Sequence, residues 1–161
     1  MQVLKFGGSS VANAENINNV VSIVQQSLKK NNNIIIVLSA LGGTTDALLE
    51  AAIAASHGDV LYKEKLHSIE HRHLTTVKEL IPLDQQSSIL SMVKKRCNDI
   101  EDICNGVFLL KELSNRTKDS VISYGELLSS QIFFAKLKSL NIDNTWKDSR
   151  ELIITDSEFG T

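Results

Sequence analysis

The unbroken apolar run Ile34-Ile35-Ile36-Val37-Leu38, entered from the polar triplet Asn31-Asn32-Asn33, leaves few folds open to this chain. Continuous β-branched runs are characteristic of parallel strands covered on both faces, and a parallel strand needs a partner reached through a crossover. The residues upstream supply both. Val3 to Phe6 form another short apolar run, and between the two runs Ile17, Val20, Val21, Val24 and Leu28 recur at the spacing of one helical face. Asn13 and Glu15 suit the start of that helix, over about residues 13–30, and Lys29 and Lys30 complement its C-terminal end. The pattern predicts a βαβ unit. A right-handed crossover places the carboxyl ends of both strands on one edge of the sheet, where open α/β sheets bind their ligands.

Each strand end runs into a glycine pair with hydroxyls. The first loop is Lys5-Phe6-Gly7-Gly8-Ser9-Ser10. Glycines let backbone N–H groups approach an anion, a following helix start offers unpaired donors, and a fixed ammonium neutralises a transferring phosphoryl group. Lys5 would be that charge and Gly7-Gly8 the cradle. The lysine precedes the glycines, so this is not a Walker loop, and an ordinary βα turn is the plain alternative. The second loop, Ser39-Ala40-Leu41-Gly42-Gly43-Thr44-Thr45-Asp46, opens a helix from Ala47 to about Ala55, with Ser39 and Thr45 as candidate helix caps or ligand hydroxyls. Five of the eight glycines, Gly7, Gly8, Gly42, Gly43 and Gly125, fall in candidate site segments, which favours a ligand site over two unrelated turns.

At 161 residues the chain suits one domain, and a net charge of −2 with 22% charged residues shows no basic stripe for nucleic acid. No charged-then-apolar leader opens the sequence and no window approaches a membrane span, so the expectation is a cytoplasmic protein. Cys97 and Cys104, seven apart in one helical stretch, are read as reduced, buried thiols beyond disulfide reach. Residues 59–114 read as an all-helical insertion or lid: one helix through Leu66, Ile69 and Val77 ends at Pro82, and another runs from Asp84 through Val93, Cys97 and Ile100 to Leu110. Within it, His67-Ser68-Ile69-Glu70-His71 matches the H-x-x-E-H pattern of inverted zincins. No third ligand follows, and His71-Arg72-His73 reads as a solvated charged face, so no metal site is assigned. A further helix carries Val121, Tyr124, Leu128, Ile132 and Ala135 on its apolar face, with Gly125 and Glu126 in its early turns. Glycine there costs about 1 kcal/mol against alanine, which suggests a close approach to the backbone, while periodicity leaves Glu126 either solvated or turned into a cleft. Residues 142–146 and 152–155 are two more strand candidates, making four strands in a parallel sheet that ends abruptly.

Three segments together carry a family resemblance: KFGGSS at 5–10, VLSALGGTTD at 37–46 and SYGELLS at 123–129. With LLKELSNRTKDSVI at 109–122, they resemble the aspartokinase members of the amino-acid kinase family, monofunctional or as the kinase portion of bifunctional aspartokinase/homoserine dehydrogenases. The resemblance implies an α/β fold of the three-layer αβα sandwich type, incomplete here, with residues 1–161 as its N-terminal, aspartate-binding portion. It implies ATP-dependent phosphorylation of the L-aspartate side-chain carboxylate, an entry step to lysine, threonine and methionine synthesis. Lys5 would stabilise the transferring phosphoryl, and Gly7, Gly8, Ser9 and Ser10 would meet ATP phosphates. Ser39, Thr45 and Glu126 would hold L-aspartate, with Mg2+ arriving on the nucleotide. Ser9 stands where the family often has threonine. The family's second glycine-rich nucleotide segment, the arginine for the aspartate carboxylate and the regulatory domains are absent from these residues, so the isolated piece is expected not to turn over. A homo-oligomeric parent is also implied. The competing readings are an acetylglutamate or glutamate kinase and a non-catalytic ligand-binding module.

Overall fold

The computed structural model describes residues 1–155 and 159. Strands β1 (Gln2–Phe6) and β2 (Ile34–Leu38) pair in parallel with Lys5 opposite Val37 and Phe6 opposite Leu38. The crossover is α1 (Ala14–Leu28), started by Asn13, whose side chain accepts from the Asn16 amide at 2.9 Å. Four helices follow: α2 (Thr44–Ser56), α3 (Tyr62–Leu80), α4 (Gln86–Leu110) and α5 (Asn115–Ser139). The α/β reading stands, with far more helix than sheet.

Small residues make this packing possible. Along α2 the core positions Leu48, Ala51, Ala52 and Ala55 are completely buried, and the alanines leave room for α3, α4 and α5 to approach the same helix. Ile69 and Val77 of α3, with Val93, Ile100 and Cys104 of α4, share one core with Ile17 and Val24 of α1 and Leu128 and Ile132 of α5. The helices of residues 59–114 thus pack into the same core as α1, α2 and α5. Arg72 adds a polar tie, donating from Nη2 to the Ala12 carbonyl at 2.8 Å.

Both cysteines are buried and free. Burial pushes the Cys97 thiol up to about 12 and the Cys104 thiol to about 11. A thiol reagent at pH 8 is therefore expected to label neither in the folded protein and both after unfolding in denaturant; stoichiometric labelling without denaturant would contradict this.

The structure corrects three expectations. The sheet is covered on one face only among the described residues: Leu4, Phe6, Ile36 and Leu38 pack on the helical core, while Ile35 and Val37 remain 47% and 44% exposed. Residues 142–146 and 152–155 form no strands, so the described sheet has two strands and not four. Ile142, Asn144 and Trp146 still alternate inward, but Trp146 Nε1 donates to Ser130 Oγ at 3.0 Å, anchoring the segment to α5. Asp148 then caps a 3-10 turn at Ser149–Glu151, and Leu152 to Ile154 emerge exposed. Finally, His73 is not on a solvated face but fully buried. Its Nδ1 lies 2.7 Å from the Ile69 carbonyl oxygen, Nε2 has no partner among the described residues, and burial lowers its pKa to about 4.

Candidate functional site

The two glycine loops meet. One residue past the ladder, the Ser39 amide donates to the Phe6 carbonyl at 3.0 Å, bringing the second loop alongside the first. A Cβ on Gly8 would sit 3.3 Å from the Ala40 carbonyl oxygen, and one on Gly42 would sit 3.1 Å from the Ala12 Cβ. The absence of side chains at Gly8 and Gly42 lets these segments touch.

Both loops open helical turns. Ser10 N donates to the Gly7 carbonyl at 2.9 Å to begin a 3-10 turn, Gly8–Val11, so the Gly8 and Ser9 amides precede the turn's own bonds. In the second loop Gly43 (φ +75°) is the residue before α2 and provides no side-chain cap. The cap alternative for Ser39 and Thr45 therefore fails: Ser39 lies well before α2, and Thr45 is already inside its first turn. Ala47 N bonding the Gly43 carbonyl at 3.1 Å is an early bond of α2, leaving the Thr45 and Asp46 amides ahead of it. The Thr44 hydroxyl is buried at the same place, 1% exposed and without a partner among the described residues.

Helix α5 closes the site from above β2. A Cβ on Gly125 would lie 2.8 Å from the Ala40 Cβ, which explains a glycine inside a long helix: it seats α5 against residues 39–40. Glu126, the next residue, is turned toward the loop, and its Oε1 accepts from the Ala40 amide at 3.3 Å. It also borders a cleft of about 660 Å3 between β2, α5 and residues 142–150. Periodicity left Glu126 either solvated or turned into a cleft, and the structure has both: the residue is exposed and lines the cleft. Asp148 and Arg150 form another wall, where two guanidinium nitrogens engage the carboxylate at 2.7–3.2 Å and hold Asp148 below the usual carboxylate range.

Gly8, Ser39, Ala40, Gly42 and Glu126 are thus brought together by direct contacts, with Gly7, Ser9 and Thr45 adjoining them along the two loops. Ser9 and Ser10 are exposed. Lys5 stands apart: it is exposed on the side of β1 away from the helical core, two residues before the Gly7-Gly8 pair, and makes no ion pair with Glu126. His67 and His71 are exposed on α3, and no group of three His, Cys, Asp or Glu side chains gathers to hold a metal among the described residues. Sequence reasoning missed two contributors. Ser129 donates to the Ser39 carbonyl at 2.7 Å, and its spacing of one helical turn after Gly125 is a signal that could have found it. Arg72, which holds the Ala12 carbonyl beside Gly42, had no such signal.

Known proteins resemble this chain over nearly its whole length. Over 161 residues the chain is 35% identical to aspartokinase 1, chloroplastic, of Arabidopsis thaliana, an alignment covering 98% of this chain and 27% of that protein. It is 30% identical to the bifunctional aspartokinase/homoserine dehydrogenase of Buchnera aphidicola, covering 90% of this chain and 18% of that protein. Among solved structures, E. coli aspartokinase III in complex with aspartate and ADP superposes with a TM-score of 0.86 at 26% identity, covering 99% of this chain and 34% of that one. The aspartate kinase of Clostridium acetobutylicum superposes at 0.64 with 26% identity, covering 86% and 29%. The chain spans less than a third of the length of the curated relatives it matches. The model of the amino acid kinase family matches residues 1–158, and the chain belongs to that family.

Proposed function

We propose that this chain is the aspartate-binding, N-terminal part of an aspartate kinase, which phosphorylates the side-chain carboxylate of L-aspartate with ATP on the route to lysine, threonine and methionine. The observation that carries the reading is the Glu126 carboxylate held over the junction of two glycine loops. With one oxygen on the Ala40 amide, the other is available for an α-ammonium group, a charge-assisted contact. The support from known proteins is the E. coli homologue whose complex contains aspartate and ADP.

Phosphoryl transfer is mostly positioning and charge stabilisation. Ser39 and Thr45 supply polar contacts to the amino acid. Gly7, Gly8, Ser9 and Ser10, with the first amides of the Gly8–Val11 turn, suit phosphate oxygens. Lys5, exposed at the strand end, supplies the cation for the transferring group. Mg2+ when bound shields phosphate charge and comes with the nucleotide. The isolated 161-residue chain is proposed to bind aspartate without releasing ADP.

An NMR titration tests the reading. L-Aspartate is expected to shift the Gly8, Ala40 and Glu126 signals, and Glu126→Gln is expected to weaken binding by about tenfold or more, the worth of one charge-assisted bond. Shifts with acetylglutamate or glutamate and none with aspartate would reassign the substrate. Unchanged affinity in Glu126→Gln would remove the ammonium role.

A further inference from the structure

Ser129 is 2% exposed on α5, and its Oγ lies 2.7 Å from the Ser39 carbonyl oxygen and 3.2 Å from the Glu126 carbonyl oxygen. A hydroxyl has one proton to give, and the shorter contact to Ser39 receives it. The peptide group joining Ser39 to Ala40 is therefore gripped at both polar ends by one helix. Its C=O is held by Ser129 Oγ, and its N–H by Glu126 Oε1 at 3.3 Å. These two residues are three apart, on neighbouring positions of one helical face, and Gly125 removes the side chain that would keep the peptide from reaching them.

We propose that Ser129 is a positioning residue that fixes the plane of the 39–40 peptide and through it the Glu126 carboxylate. A rotated peptide would carry the Ala40 N–H away from Oε1. Glu126, exposed as it is, would then lose the contact that anchors its carboxylate, and the oxygen reserved for substrate would lose its fixed place. The consequence for substrate rests on the aspartate reading above; the grip on the peptide does not.

The experiment compares Ser129→Ala and Glu126→Gln in the 161-residue chain by amide hydrogen exchange and L-aspartate titration. In Ser129→Ala, exchange at the Ala40 amide is expected to quicken about five- to tenfold, the equivalent of one ordinary buried hydrogen bond, with aspartate binding weakened to a similar degree. The Ser39 amide, bonded to Phe6, should keep its protection. Glu126→Gln retains an acceptor, so Ala40 should stay protected while aspartate binding falls. Unchanged Ala40 exchange in Ser129→Ala would overturn the proposal. So would equal acceleration at Ser39, Ala40 and throughout α5, because that is general loosening and not positioning. If the unmodified chain binds no aspartate, the substrate reading fails, and the Ala40 and Ser39 amides still decide the role of Ser129.

Discussion

Replacing Gly125 by alanine is expected to destabilise the protein by up to about 2 kcal/mol, although the change raises helix propensity. Alanine in a helix interior gains about 1 kcal/mol over glycine, whereas overpacking a filled interior costs about 1–3 kcal/mol. The steric term wins here because the new methyl would lie 2.8 Å from the Ala40 Cβ, closer than carbon atoms tolerate. Ala40 cannot swing aside like a long side chain, since its peptide is held by Glu126 and Ser129. Either α5 lifts or the 39–40 segment withdraws, and each movement breaks the Ala40–Glu126 bond. Denaturant melts at constant m-value should show a lower midpoint. A midpoint equal to or above that of the unmodified chain would mean that α5 and the loop are not in the tight contact described.

The second large effect concerns pH. His73 is completely buried with a folded pKa of about 4, below its ordinary 6.5, so the unfolded chain binds a proton that the folded one refuses between those values. Its contribution is present above pH 6.5 and is lost as pH falls toward 4. Over such a window the loss amounts to about 3 kcal/mol at 1.36 kcal/mol per unit. His73→Leu removes the group and leaves every other titrating side chain in place. The stability of the leucine variant minus that of the unmodified chain should therefore rise by about 2–3 kcal/mol between pH 7 and pH 4.5. A difference constant across that range in chemical denaturation would show that His73 protonates as readily folded as unfolded.

The same two residues show where the sequence was legible and where it was not. Gly125 was visible as an anomaly, because a glycine in an amphipathic helix has a known cost, but only the packed loop showed what approaches it. His73 follows His71 and Arg72 and reads as part of a charged face; the burial comes from neighbours on other helices. For Glu126 the helical phase lay between core and solvent, and the Ala40 amide decided its direction. The tail failed for a related reason. Alternation in residues 142–146 correctly encodes an extended chain with one side inward, yet extension does not specify a pairing partner, and Trp146 took Ser130 in place of a strand.

From the residues alone came β1, α1 and β2 in order, the helical character of most of the remaining chain, the two glycine loops at one sheet edge and the family resemblance. These are local properties, set by side-chain period and backbone freedom over a few residues. Tertiary structure alone decided that α3 and α4 join the main core, that the sheet keeps an open face among the described residues, that Lys5 lies on the side of β1 away from that core, and that Ser129 grips the peptide beside Glu126. Periodicity states which face of an element is hidden; what hides it depends on contacts between residues as far apart as 39 and 129, which no local pattern encodes.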